Sequence, residues 1–265
     1  MVNNSRRGDT KQGTSLTALK ALRALEVVAE AREPLSAQDA ADRLGTDKVS
    51  AYRMLVTLET AGYVVRDEHS RRYSLSYKVI SLSRNLLAEN EVTKLVTQTL
   101  HELSVTTKET LHYSVLDGNA AVLVHRVKGS QLVNVDFQIG DRASLHCTSI
   151  GKVLLAYQDT RYVDEVVAHG LPRFAENTVS DPDQLRVELQ RIRAQGYALD
   201  DHEFSDTMRC IAVPIFSSGG RVQSGISISG PDSRFTIEKL HELKEPMLEA
   251  SRKLSQHLGG IPWSA

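Results

Sequence analysis

Ser227 and Ser229 stand two residues apart in GISISGP, interleaved with Ile226 and Ile228. On a strand this spacing sends both hydroxyls to one face and both isoleucines to the other. Two hydroxyls on one face can bond a single carboxylate. A second anion-seeking feature lies in HCTSIGKVLLA, where the turn from Ser149 to Gly151 opens a helix. The unpaired amides and the dipole of a helix start favour negative charge. Cys210 begins the apolar run CIAVPIF and adds a weak donor. The same residues have a plainer reading, in which the serines face water and Cys210 is a small core side chain. Spacing alone leaves both open.

Catalysis would need more. Cys210 as nucleophile would require His146 or His202 as base and Asp200 to orient it. Nothing in the spacing unites these groups, and no nucleophile-elbow motif is present. His146, Cys147, Asp201, His202 and Glu203 are metal-ligand types, yet HxxxH and CxxC spacings are both absent. The expectation is a protein that is not an enzyme and needs no cofactor or metal.

These residues sit in a chain of 265, long enough for two domains, with 41% apolar and 25% charged residues. No apolar stretch reaches the roughly 20 residues of a membrane span. The start, MVNNSRRGDTKQGTS, lacks the apolar segment of a signal peptide and reads as a flexible arm over residues 1–14. Cys147 and Cys210 show no pairing pattern, which suits a cytoplasmic protein with free thiols. The net charge of −1 conceals an asymmetry. Residues 1–90 carry 14 basic and 11 acidic side chains, and the remainder 18 and 22. A basic front end points weakly to a polyanion partner.

The front end has the matching architecture. SLTALKALRALEVVAEA repeats apolar residues at helical spacing (Leu16, Leu19, Leu22, Leu25, Val28) and must stop before Pro34. Ser36 caps a second helix, with Gln38 and Asp39 in its first turn, and Gly45 ends it. Thr46 or Asp47 caps a third, running to Gly62. YVVRD and YSLSY, around a polar break with Arg71 and Arg72, predict a two-stranded hairpin with a basic tip. Together these make a winged helix-turn-helix over residues 15–76. In the third helix Val49, Leu55, Leu58 and Met54 are expected to pack inward, while Lys48, Ser50, Tyr52 and Arg53 occupy the N-terminal half. A recognition helix needs this division, because its first turns enter the major groove and its rear is buried. Arg and Lys suit guanine or phosphate, and Arg71 and Arg72 would reach backbone or minor groove.

YKVISLSRNLLAENE, residues 77–91, reads as an amphipathic linker helix with Val79, Leu82, Leu86 and Leu87 on one side. A second domain follows over residues 92–265. LHYSVLDGNAAVLVHRVKG predicts two strands around Asp-Gly-Asn, and LVNVDFQIG a third. Helical patterns come next, one with Pro182 in a permitted first-turn position. The strands YALDD, CIAVPIF and RVQSGISISGP then precede a final helix with Pro246 inside, where a kink or break is expected. The fold class is α+β, an antiparallel sheet flanked by helices.

LKALRALEVV, VSAYRMLVTLETAGYVVRD, LHCTSIGKVLLA and GYALDDHEF…MRCIAVPIF…GISISGP stand in an order that resembles the IclR family of bacterial transcription regulators, over about residues 15–258. The resemblance implies a GAF-like effector-binding domain after the winged helix, a linker helix used in dimerisation, and a homodimer or homotetramer. It implies operator DNA and a small, often carboxylate-bearing metabolite as partners. Members more often repress than activate, so a repressor of a catabolic operon is expected; an activator, or a sensor acting through a protein partner, are the alternatives. Carried over position by position, the effector site falls on Ser149, Ile150, Asp200, Cys210, Ser227 and Ser229, and the DNA-binding set on Lys20, Thr46, Lys48, Ser50, Tyr52, Arg53, Arg71 and Arg72. Asp47-Lys48-Val49-Ser50 departs from the Pro-Lys-Ser-Thr common at this helix start, and Lys20 stands where arginine is usual.

Overall fold

A computed structural model describes residues 13–87 and 91–260, without the side chains of 85–87. Most of the expected arm, and the side chains of Leu86 and Leu87 in the expected linker, lie outside the described residues. The chain divides into two compact units, residues 1–88 and 89–265.

The first unit opens with α1, Leu16–Glu30, capped by the Ser15 hydroxyl. Its core face is Ala24 and Val28, with Leu25 and Val27 partly buried beside them. Leu16, Leu19 and Leu22 are exposed, against the single apolar stripe expected, because α2 and α3 pack only on the C-terminal half of the helix. Helix α2, Ala37–Leu44, begins with a full capping box in which Ser36 and Asp39 exchange side-chain and backbone bonds. It ends at Gly45, whose φ of 62° few side chains tolerate. Helix α3, Lys48–Thr60, follows, then strands β1, Val64–Arg66, and β2, Tyr73–Leu75, paired antiparallel. Tyr73 also exchanges backbone bonds with Leu35, closing the core over Leu55, Leu58 and Val64. Helix α4, Lys78–Leu87, ends the unit with Ile80 and Leu82 exposed, as is Tyr77 just before it.

The second unit starts with α5, Glu91–Thr107, and the hairpin of β3, Thr110–Asp117, and β4, Ala120–Val127, turning at Gly118. The third expected strand, LVNVDFQIG, is not one. Side chains hold this segment instead of a ladder: Arg126 bonds Asp136 at 2.7 Å and the Phe137 carbonyl, and Asn134 meets Thr110. The next strand is β5, Arg142–Ser144. Helices α6 (Ser149–Ala156), α7 (Thr160–Ala168) and α8 (Pro182–Gln195) follow, then strands β6 (Ala198–Asp201), β7 (Met208–Ser217) and β8 (Arg221–Pro231). Helix α9, Ile237–His257, continues through Pro246 without the expected break.

The six strands form one antiparallel sheet in the order β5-β4-β3-β8-β7-β6. Leu111, Ile211, Val213, Ile226 and Ile228 pack one face against α5 and α9. On the other face Ala198, Ala212 and Phe216 meet α6 and α8. Alternation along β8 therefore sends Ser227 and Ser229 towards α6.

Candidate functional sites

The start of α3 presents Lys48, Val49, Tyr52 and Arg53 to solvent. Val49 is 67% exposed rather than packed inward, since Ala51, Leu55 and Leu58 form the buried rear. Asp47, not Thr46, is the N-cap; Thr46 is half-buried and its amide bonds the Ala41 carbonyl. Ser50 is less available than its type suggests. Its amide and its hydroxyl both bond Asp47, at 2.9 and 2.6 Å, and these bonds hold the Asp47 carboxyl below its ordinary range. Arg71 is exposed at the wing tip with a left-handed φ of 58°. Arg72 is turned back, bonding the Pro34 carbonyl at 2.8 Å and Asp39 at 3.1 Å, so it fastens the wing to α2. Lys20 is exposed on α1.

In the second unit a cavity of about 290 Å³ opens between the sheet and the start of α6. All six expected effector residues line it: Ser149, Ile150, Asp200, Cys210, Ser227 and Ser229. Strand register explains the grouping. Ser229 pairs with Cys210, and Cys210 with Asp200, so one row of the sheet crosses β8, β7 and β6. Ser227 pairs with His112 on β3 in the neighbouring row. At the helix start the Thr148 hydroxyl accepts from the Gly151 amide at 3.0 Å, leaving the Ser149 and Ile150 amides with no helical carbonyl to bond.

Asp200 faces the cavity and Asp201 does not; Asp201 pairs with Arg209 at 2.5 Å. One Asp200 oxygen accepts the Glu203 and Phe204 amides at 2.8 and 3.3 Å, and the other has no partner. Burial outweighs these bonds and the Lys152 charge, and pushes its carboxyl up to about 6. The Cys210 thiol is raised far above its ordinary range by burial and by Asp200, so it stays protonated. Of the two expected bases, His146 bonds the Pro172 carbonyl, and His202 lies near Asp201 and Asp232. Among the described residues no cluster of His, Cys, Asp or Glu is arranged to hold a metal.

Sequence reasoning missed His112, Ser114, Phe137, Arg142, Thr148 and Phe204 in the lining. His112 and Ser114 carried a signal, alternating in LHYSV as the serines of β8 do. Phe137 and Phe204 come from loops and carried none. Arg142 puts a cation at the rim, although Asp117 already holds it at 2.6 Å.

A helix-turn-helix with a wing, joined in one chain to a sheet domain holding a cavity, is the architecture of a DNA-binding regulator. Two family models match: the IclR helix-turn-helix domain over residues 17–68, and the bacterial transcriptional regulator IclR C-terminal domain over residues 84–256. The chain therefore belongs to the IclR family of bacterial transcription regulators. It is 35% identical over 252 residues to the HTH-type transcriptional regulator KdgR of Escherichia coli K12, covering 94% of this chain and 95% of that one. The Thermotoga maritima IclR crystal structure superposes with a TM-score of 0.71 at 30% identity, covering 92% and 98%. An IclR homolog from Microbacterium hydrocarbonoxydans, complexed with 4-hydroxybenzoate, shares the fold at a TM-score of 0.74 and 23% identity, covering 92% and 99%. The relatives are named as regulators of transcription, not enzymes. No described helix is long and apolar enough to cross a membrane.

Proposed function

We propose that this protein represses a catabolic operon and that a small organic acid, bound in the cavity of residues 92–265, controls its hold on operator DNA. The carrying observation is the meeting of Ser227, Ser229, Cys210 and the open amides of the α6 start on one cavity. Hydroxyls and amides converging on one cavity are what a carboxylate needs on leaving water. Two or three such bonds, each about 1.5–3 kcal/mol before ordering costs, correspond to micromolar to millimolar affinity. That range follows metabolite levels.

On the DNA side, Lys48, Tyr52 and Arg53 would enter the major groove, and Arg71 would meet phosphate. A homodimer or homotetramer completes the reading, because one winged helix cannot reach two half-sites. Exposed Leu16, Leu19 and Leu22 on α1, with Ile80 and Leu82 on α4, supply apolar surface for a second copy. The test is thermal-shift screening of the full chain against carboxylates, with each hit then added to an operator gel shift. A hit should release DNA and vanish in Ser227→Ala/Ser229→Ala, whose circular dichroism stays native. If the double variant binds every hit unchanged, the site is misplaced.

A further inference from the structure

One cavity residue is left over by the carboxylate reading. His112 lies on β3 beside Ser227, is 3% exposed and lines the cavity. Neither of its ring nitrogens has a hydrogen-bond partner. Burial, helped by the Arg126 charge, holds the imidazole down at about 4, so it is neutral and offers one donor and one acceptor. A buried polar group without partners costs free energy, and this ring carries two. It is also fixed in place. The Phe137 ring packs edge-on at 5.6 Å, and Arg126 anchors Phe137 through its carbonyl.

We propose that His112 reads hydroxyl groups on the bound acid, so that the ligand is a hydroxylated carboxylate, not a hydroxyl-free aliphatic, 2-oxo or aromatic acid. This rests on the carboxylate reading above. The choice of hydroxyl follows from the ring. A second carboxylate would satisfy only its N–H, and an ammonium only its bare nitrogen. Hydroxyls donate and accept, so neighbouring ones fill both. The unpartnered oxygen of Asp200 stands two strands to the other side of Ser229, so a chain seated on the serines meets a polar group on each flank.

The experiment uses the full chain and isothermal titration with matched acids. Arabinonate, gluconate, galactonate and mannonate form one series; pentanoate, hexanoate, 2-oxohexanoate and benzoate form the other. At least one hydroxylated acid should bind about tenfold or more tightly than every hydroxyl-free acid. His112→Phe, which keeps the ring contact, should erase that preference. His112→Asn, with one donor and one acceptor restored, should recover part of it and serves as the variant if phenylalanine fails to fold. A hydroxyl-free acid binding as tightly as the best hydroxylated one, or a preference that survives in His112→Phe, overturns the proposal and leaves the carboxylate reading standing. Binding of no acid in either series overturns both.

Discussion

Lys152→Met deletes a cation that is 1% exposed. Its ammonium bonds Glu203 and lies 3.5 Å from Glu188. Glu188 has a second partner in Arg191 at 2.9 Å, but Glu203 does not, and its other oxygen is already unpaired. Burial pushes the Glu203 carboxyl up to about 7 even with the lysine beside it. Removing one member of a buried pair costs about 3–5 kcal/mol, most of it from the stranded charge. At roughly 2–4 °C per kcal/mol for a domain of this size, the second unit should melt about 6–20 °C lower. The deficit should depend on pH, with a definite sign. A carboxyl whose folded pKa is raised favours the folded state when protonated, and loses that advantage as pH rises through the folded value. Without Lys152 the folded value rises further, so the gap between variant and wild type should be large at pH 8 and shrink at pH 5. Lys152→Met/Glu203→Gln should restore most of the loss. Differential scanning calorimetry of the full chain at both pH values measures this. A melting change under about 2 °C at pH 8, or equal gaps at both, would refute the reasoning.

Three further outcomes are expected. Arg53→Ala should weaken operator binding by about 1–3 kcal/mol in fluorescence anisotropy. Arg71→Gly should weaken all duplexes alike and flatten the salt slope by about one, while relief of the left-handed φ leaves the first unit as stable or up to about 1 kcal/mol more so. Gly151→Ala should cost about 1–3 kcal/mol and lower ligand affinity, because the new methyl would sit 2.2 Å from the Ser144 carbonyl and 2.7 Å from the Leu145 Cα, pushing α6 off the cavity. Thermal melts and titration of the same preparation check both effects.

The winged helix was legible because its signals are local. Ser36 with Asp39, Gly45, and Asp47 each mark a boundary through bonds spanning three or four residues. The serine pair on β8 was legible for the same reason, since alternation needs only one strand. What failed depended on the neighbours of an element. Leu16, Leu19 and Leu22 have the spacing of a core face, yet the short partners of α1 cover only its far half. Val49 reads as apolar and therefore inward, but the helix rotates to bury Ala51 and Leu55. Residues 132–140 alternate like a strand, and Arg126 and Thr110 claim their polar groups first. Arg72 has a charge suited to phosphate, and only the fold reveals that Asp39 holds it.

Strand β8 assigns alternate residues to separate tasks. Ile226 and Ile228 join the core against α5 and α9, while Ser227 and Ser229 line the cavity. Leu111 and His112 divide β3 in the same way, as Ile211 and Cys210 divide β7. A descendant gene can therefore change its chemical vocabulary at 112, 210, 227 and 229 without renegotiating the packing at 111, 211, 226 and 228. Such a sheet lets one scaffold acquire a new cavity lining through a few point changes, each inherited without first having to solve folding again.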